Sequence, residues 1–232
     1  MKKSHSLGPA LSSAETLSGI IYLALQLFVL PNVLYWCNAQ AGNPLSDAEI
    51  NFAFYFINFM AMLLIFRNFL GNSLQQFTRH PIVVLEAVIL GLVGYYACTF
   101  CTARIIEALA PGYSNYNDEA IFAMSRGNSF LMLIGTVVLV PPVEECLYRG
   151  LVFRNLYGKN KIAAYIISIL LFAVIHILGY IGKYSPLELV MAVLQYLPAG
   201  LCLAWAYTRS DTIFAPILIH AAINFIGINR LR

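Results

Sequence analysis

Apolar residues fall in long unbroken stretches separated by short polar ones along the whole chain. Seven such stretches run at about 14–36, 49–66, 82–104, 129–157, 162–181, 187–208 and 212–229. Each is near or above the roughly 20 residues a helix needs to cross a hydrocarbon core of about 30 Å. The stretches are continuous, unlike barrel strands, which alternate over about ten residues. The pattern predicts an all-α, polytopic transmembrane helix bundle of about seven membrane helices, with residues 1–232 forming a single membrane-embedded domain without internal repeats. Pro141-Pro142 predicts a bend or interruption in the fourth helix, and Pro216 a kink in the last. The longest connection, about 105–128, contains Pro111, Gly112 and the Asp118-Glu119 pair and reads as a loop, with Tyr113 and Tyr116 suited to an interfacial aromatic belt.

Composition agrees with this picture, since 60% of the 232 residues are apolar and 11% charged, far from a soluble domain. The net charge of +3 is spread through connecting segments and forms no basic stripe, which argues against a nucleic-acid partner. Those cations report orientation instead. Lys2, Lys3, Arg67, Arg79, Arg154, Lys159, Lys161 and Arg209 mark one side, and Asp47, Glu49, Asp118 and Glu119 the other. The positive-inside rule then places the N-terminus in the cytoplasm, although Arg230 and Arg232 fall on the opposite side. The expectation is an integral multi-pass protein surrounded by membrane lipid, in the plasma membrane if bacterial. Ala39-Gln40-Ala41 resembles a signal-peptide cleavage site, but the preceding apolar run exceeds the usual h-region, so it reads as a retained first helix. The five cysteines are odd in number and scattered, which speaks against a disulfide framework. Cys98-x-x-Cys101 lacks the second pair or nearby histidines of a zinc site, and Cys146 reads as apolar filler.

Charge inside the spans carries the chemistry. An ionisable residue in a membrane helix costs about 2.5–3.5 kcal/mol on insertion scales and is expected to face the bundle interior or a water-filled cavity. Glu145 and Arg149 stand at i, i+4, the spacing of a helix ion pair, and read as structural. Glu144, rotated by about 100° from Glu145, needs another partner and is the reactive candidate. Segments four and five turn at Gly158-Lys159-Asn160-Lys161, with Glu144 sixteen positions before Asn160 and His176 sixteen after it. At 1.5 Å per residue both lie about 24 Å from the turn, inside the membrane. A carboxylate beside an imidazole can remove a proton from water. His220 and Asn224, also i, i+4, offer N–H donors to a developing oxyanion. Phe172, one turn before His176, reads as packing. Alone, a Glu-x-x-x-Arg pair most often holds a helix in place, and a lone intramembrane histidine is more often an inter-helix hydrogen-bonding residue than a catalyst. The combination points to hydrolysis of an acyl bond by activated water.

Three motifs occur in order: Glu144-Glu145-Cys146-Leu147-Tyr148-Arg149, Phe172-Ala173-Val174-Ile175-His176 and His220-Ala221-Ala222-Ile223-Asn224. They resemble the Glu-Glu-x-x-x-Arg, Phe-x-x-x-His and His-x-x-x-Asn motifs of the CPBP family, the CAAX protease and bacteriocin-processing (Abi) family that includes the Rce-type prenyl endopeptidases. The resemblance covers about 140 to 225, within a motif-bearing core of about 129–229. It implies an intramembrane endopeptidase open to the cytosol, with Glu144 activating water, His176 assisting, and His220 and Asn224 stabilising the oxyanion. It leaves open a zinc-dependent mechanism through Glu144, His176 and His220, which are chemically acceptable ligands. The metal-free glutamate mechanism is the favoured expectation, because the chain has no His-Glu-x-x-His and a zinc-bound glutamate would leave no clear separate base. Prenylated proteins, bacteriocin or pheromone precursors and C-terminal sorting tails are all open as substrates, and oligomeric state is unspecified. The competing class is a noncatalytic membrane protein whose polar core serves transport or partner binding; the chain lacks the paired halves with broken helices that mark many transporters.

Overall fold

The computed structural model describes residues 7–230, so Lys2, Lys3 and Arg232 of the orientation pattern lie outside the described residues. In chain order the first helices are α1 (Ser13–Phe28), α2 (Leu30–Gln40), α3 (Asp47–Ile65), α4 (Arg67–Arg79) and α5 (Pro81–Leu109). They are followed by α6 (Tyr116–Gly127), α7 (Ser129–Tyr157), α8 (Lys161–Ile175), α9 (Pro186–Ser210) and α10 (Phe214–Arg230). Polar caps set many of these starts. Ser12, Ser46 and Ser185 form capping boxes with Glu15, Glu49 and Glu188, which begin α1, α3 and α9.

All seven predicted stretches become helical, and the count of seven spans is not confirmed. Among the described residues only α3, α5, α7 and α9 are individually long and apolar enough to cross a membrane, and α1 with α2 makes a fifth if that pair, bent by 45°, is one span. Pro31 explains the bend, because it has no N–H to offer the Leu27 carbonyl. The fifth stretch was expected to reach 181, but α8 stops at Ile175 and a 3-10 turn, Leu178–Tyr180, follows. Gly179 and Gly182, the latter at φ 82°, disfavour helix there.

The connection expected as a loop at 105–128 contains a helix. The Asn115 side chain accepts from the backbone N–H groups of Asn117 and Asp118, and Asp118 and Glu119 lie in the first turn of α6, where they oppose the helix dipole favourably. Helix α4, also unforeseen, buries Phe69 and Ser73, and the Phe69 N–H donates to Glu15 Oε1 at 2.9 Å. Pro216 does not kink α10, because it falls in the first turn, where no intrahelical N–H partner is lost.

The proline pair in α7 changes the helix register without interrupting the helix. Residues Gly135–Leu139 are π-helical, and the Val140 N–H reaches back five residues to the Gly135 carbonyl. In that register the Thr136 carbonyl would be served by residue 141, which is proline and has no N–H. The Asn224 side chain supplies the missing donor, with Nδ2 at 2.8 Å from the Thr136 oxygen. A second π-helical stretch, Cys146–Phe153, follows, so Glu144 and Glu145 lie on a short α segment between two wide turns. Gly135 also permits close approach of α3, since a Cβ there would meet Tyr55 Cδ2 at 2.6 Å.

The described basic residues of the orientation pattern gather toward one end of the bundle. Arg154 donates to the carbonyls of Leu7, Gly8 and Pro9, Arg209 pairs with Glu86 at 2.8 Å, and Thr212 Oγ1 donates to the Ser73 carbonyl at 2.8 Å. Thr212 and Ser210 are buried, so the turn between α9 and α10 sits above α4, inside the bundle rather than at its surface. That raised turn lets His220 meet Glu144 although fewer residues separate it from its turn.

Candidate active site

The structure brings together the polar residues of α7, α8 and α10. Glu145 and Arg149 are fully buried, with Nη1 donating to Oε1 at 3.0 Å. The guanidinium also donates to the Gly200 carbonyl at 3.3 Å and lies 4.4 Å above the Phe172 ring. Gly200 is needed at that crossing, since a Cβ would meet Ile169 Cγ2 at 3.0 Å and its Cα at 3.2 Å. The same Glu145 oxygen receives His220 Nδ1 at 2.9 Å. Glu145 is therefore shared between an arginine and a histidine, a link that the i, i+4 spacing did not reveal.

Glu144 faces elsewhere. Its Oε2 lies 3.9 Å from His176 Nε2 and 3.9 Å from His220 Nε2, and that oxygen has no hydrogen bond from the protein among the described residues. His176 is fixed by its other nitrogen, Nδ1, at 2.7 Å from the Phe172 carbonyl. A carbonyl only accepts, so Nδ1 carries the proton and the neutral ring presents a lone pair at Nε2. His220, donating from Nδ1 to the Glu145 carboxylate, is in the same position. Three acceptors thus converge, and they call for a donor such as water between them. Each histidine is held on an aromatic frame: His176 stacks on Tyr196 at 4.3 Å, and Phe172 lies 4.7 Å from His176 and 5.7 Å from His220. Phe172, expected to be packing alone, touches both histidines and the guanidinium.

The expected donor pair is altered. His220 has an N–H at Nε2 only as an imidazolium, and Asn224 spends one N–H on Thr136. Zinc chemistry suits the three groups, but their placement does not. Ligand atoms at about 2.0–2.1 Å around a tetrahedral zinc lie roughly 3.4 Å apart. The Glu144 oxygen is 3.9 Å from each nitrogen, and among the described residues no three His, Cys, Asp or Glu are disposed to hold a metal ion.

A cavity of about 390 Å³ opens beside Glu144, His176, His220 and Asn224. Its walls include residues that the sequence pattern gave no reason to select: Asn117 and Asp118 from α6, Gln195 and Tyr196 from α9, and Tyr55 from α3. The signal that could have exposed the first two is the Asn115 cap with its acidic first turn; Tyr55, Gln195 and Tyr196 had none. A second void of about 100 Å³, lined by Gln26, Asn58 and Tyr148, reaches Glu144 from the α1 and α3 side. His176 caps the end of α8 remote from the Lys161 turn, about 22 Å away at 1.5 Å per residue, and α6 walls the cavity at that same end. The wall that α6 gives the cavity therefore lies at the end of the bundle away from the basic Lys161 turn.

Residues 126–226 match the family model described as type II CAAX prenyl endopeptidase Rce1-like. The match contains every motif residue from Glu144 to Asn224, so the resemblance to the CAAX-type endopeptidases holds over the part of the chain that bears the site. Two curated relatives are more distant. A Lactococcus lactis protein, UPF0177 protein YxdF, is 28% identical over 90 residues, covering 39% of this chain and 44% of its own. A Bacillus subtilis protein named as a candidate membrane peptidase, YdiL, is 25% identical over 170 residues, covering 71% of this chain and 64% of its own. The matched segments thus span about half to two thirds of these relatives. No solved structure matches. The chain is a multi-pass membrane protein with an Rce1-like segment.

Proposed function

We propose that the protein is an intramembrane endopeptidase that hydrolyses a peptide bond of a membrane-associated or lipidated substrate with water activated by Glu144 and His176. The observation that carries this reading is the convergence of Glu144 Oε2 on two histidine Nε2 atoms at 3.9 Å beside a peptide-sized cavity. A water about 2.8 Å from both the carboxylate and His176 donates a hydrogen bond to each, leaving its oxygen lone pair free to attack. As the carbon–oxygen bond forms, Glu144 accepts the proton, and it returns that proton to the leaving amine. Negative charge collects on the former carbonyl oxygen. Asn224 contributes its second N–H to it, and His220, anchored on Glu145, adds a donor when its ring takes up a second proton from solvent. Arg149, Glu145 and Phe172 fix the histidine rings. No step in this scheme uses a metal.

The test is cleavage of membrane peptides by purified protein, comparing wild type with Glu144→Ala, His176→Ala and Glu145→Ala, each with and without a strong chelator. Glu144→Ala is expected to lose at least about 100-fold; wild-type cleavage by that variant would end the proposal. Loss on chelation with recovery on zinc would replace the metal-free scheme.

For orientation, the basic end is assigned to the cytoplasm, so substrate enters from the opposite face. Ser114 and Lys159 are exposed at the two ends. In a cysteine-free background on intact cells, an impermeant maleimide should label Ser114→Cys and spare Lys159→Cys. The reverse result would put the opening in the cytosol.

A further inference from the structure

The cavity wall carries two carboxylates, Glu144 and Asp118, and two histidines, but no lysine or arginine. Glu144 has a task in the reaction. Asp118 has none there, beyond the favourable place of a carboxylate in the first turn of α6. It lies in the first turn of α6, with its N–H on Asn115 Oδ1 at 3.3 Å. Its side chain accepts one long bond, from Gln195 Nε2 at 3.4 Å, and no lysine or arginine among the described residues pairs with it. His176 lines the same cavity. The wall behind is rigid, since Tyr196 both stacks on His176 and accepts from Asn117 Nδ2 at 3.1 Å. Partly buried, and held by the α6 dipole and one long neutral bond, the carboxylate has accepting capacity left for a cation that enters the chamber. The same chamber repels a substrate carboxylate, because nothing basic with a fixed charge lines it.

We propose that Asp118 is a specificity-determining residue that receives a lysine or arginine side chain of the substrate peptide, so that the preferred substrate is a cationic peptide cut internally, not one held by a free C-terminal carboxylate. This rests on the peptidase reading. Asn117 and Gln195 flank Asp118 with amides that can bond the peptide backbone on either side of the basic residue.

The experiment uses the full chain in detergent micelles and three quenched-fluorescent decapeptides of leucine and alanine, identical except for one Lys, Gln or Glu, with that position moved along the peptide in a matched series. Wild type should favour Lys over Gln and Gln over Glu, each by tenfold or more in kcat/KM at the best position. Asp118→Asn should bring the Lys-to-Gln ratio close to one, and Asp118→Lys should invert the order toward Glu. Equal rates for the three peptides in wild type would overturn the proposal. So would an equal loss on all three in Asp118→Asn, which would tie Asp118 to His176 instead. Binding of the same peptides, read by fluorescence anisotropy, separates the two readings. A tenfold Lys-over-Glu preference in binding without any cleavage would defeat the peptidase reading alone, whereas binding without charge preference would defeat this one.

Discussion

Arg149→Met removes the guanidinium while keeping much of the side-chain volume. In the wild type that group is fully buried, donates to Glu145 at 3.0 Å and to Gly200 at 3.3 Å, and lies 4.4 Å over Phe172. Its loss leaves Glu145, itself 0% exposed, with a negative charge and His220 Nδ1 as its remaining partner. Breaking one side of a buried pair typically costs about 3–5 kcal/mol, and the lost cation–π contact, at about 2 kcal/mol when desolvated, is counted within that range. The variant is therefore expected to lose about 3–5 kcal/mol of stability. The double variant Glu145→Gln with Arg149→Met removes both charges and keeps an acceptor for His220, so it should be the more stable of the two. The assay is reversible unfolding in mixed micelles by SDS titration, followed by helix content. Destabilisation of Arg149→Met by less than about 1 kcal/mol, or a double variant no better than the single, would refute the view that Glu145 and Arg149 are a mutual support.

Three further outcomes follow from the same geometry. Glu144→Gln should abolish cleavage yet unfold no more easily than wild type, because the Oε2 of the carboxylate it replaces has no hydrogen bond from the protein among the described residues; a loss above about 1 kcal/mol in the same titration would make Glu144 structural. Asn224→Leu strips the Thr136 carbonyl of its donor and should cost about 1–3 kcal/mol, and adding Pro141→Ala restores an N–H in the π register, so the double variant should recover part of that loss. Absence of any recovery would sink the register argument. Burial holds the Asp118 carboxyl above the ordinary aspartate range, with His176 opposing the shift and Tyr113, Tyr180, Tyr196, Glu119 and Glu188 adding no cation. The anion is the form that meets a cation, so the Lys-to-Gln preference should be full well above that raised value and fade as pH falls through it, at a higher pH than for an exposed aspartate. A pH-independent ratio, or the same fading in Asp118→Asn, would contradict this.

The sequence by itself determined the helical class and the membrane setting, and it singled out the candidate reacting groups. Long apolar runs leave no other way to satisfy backbone hydrogen bonds in lipid, and ionisable residues inside those runs are too costly to be incidental. Equal spacing of Glu144 and His176 from one turn was enough to bring them together, because a helix converts residue number directly into depth. Span number was less legible, since apolar composition does not say where Pro31 or Gly179 will end a helix. The tertiary structure alone decided which carboxylate serves which partner. Glu145 gained His220 from α10 as well as Arg149, and Asn224 was drawn to Thr136 because Pro141 leaves a carbonyl on another helix without its donor. It also made Asp118 and Tyr196 into cavity walls, although their local sequence reads as loop and span. Such contacts join residues tens of positions apart through packing, and no periodicity within one helix records what the neighbouring helix presents.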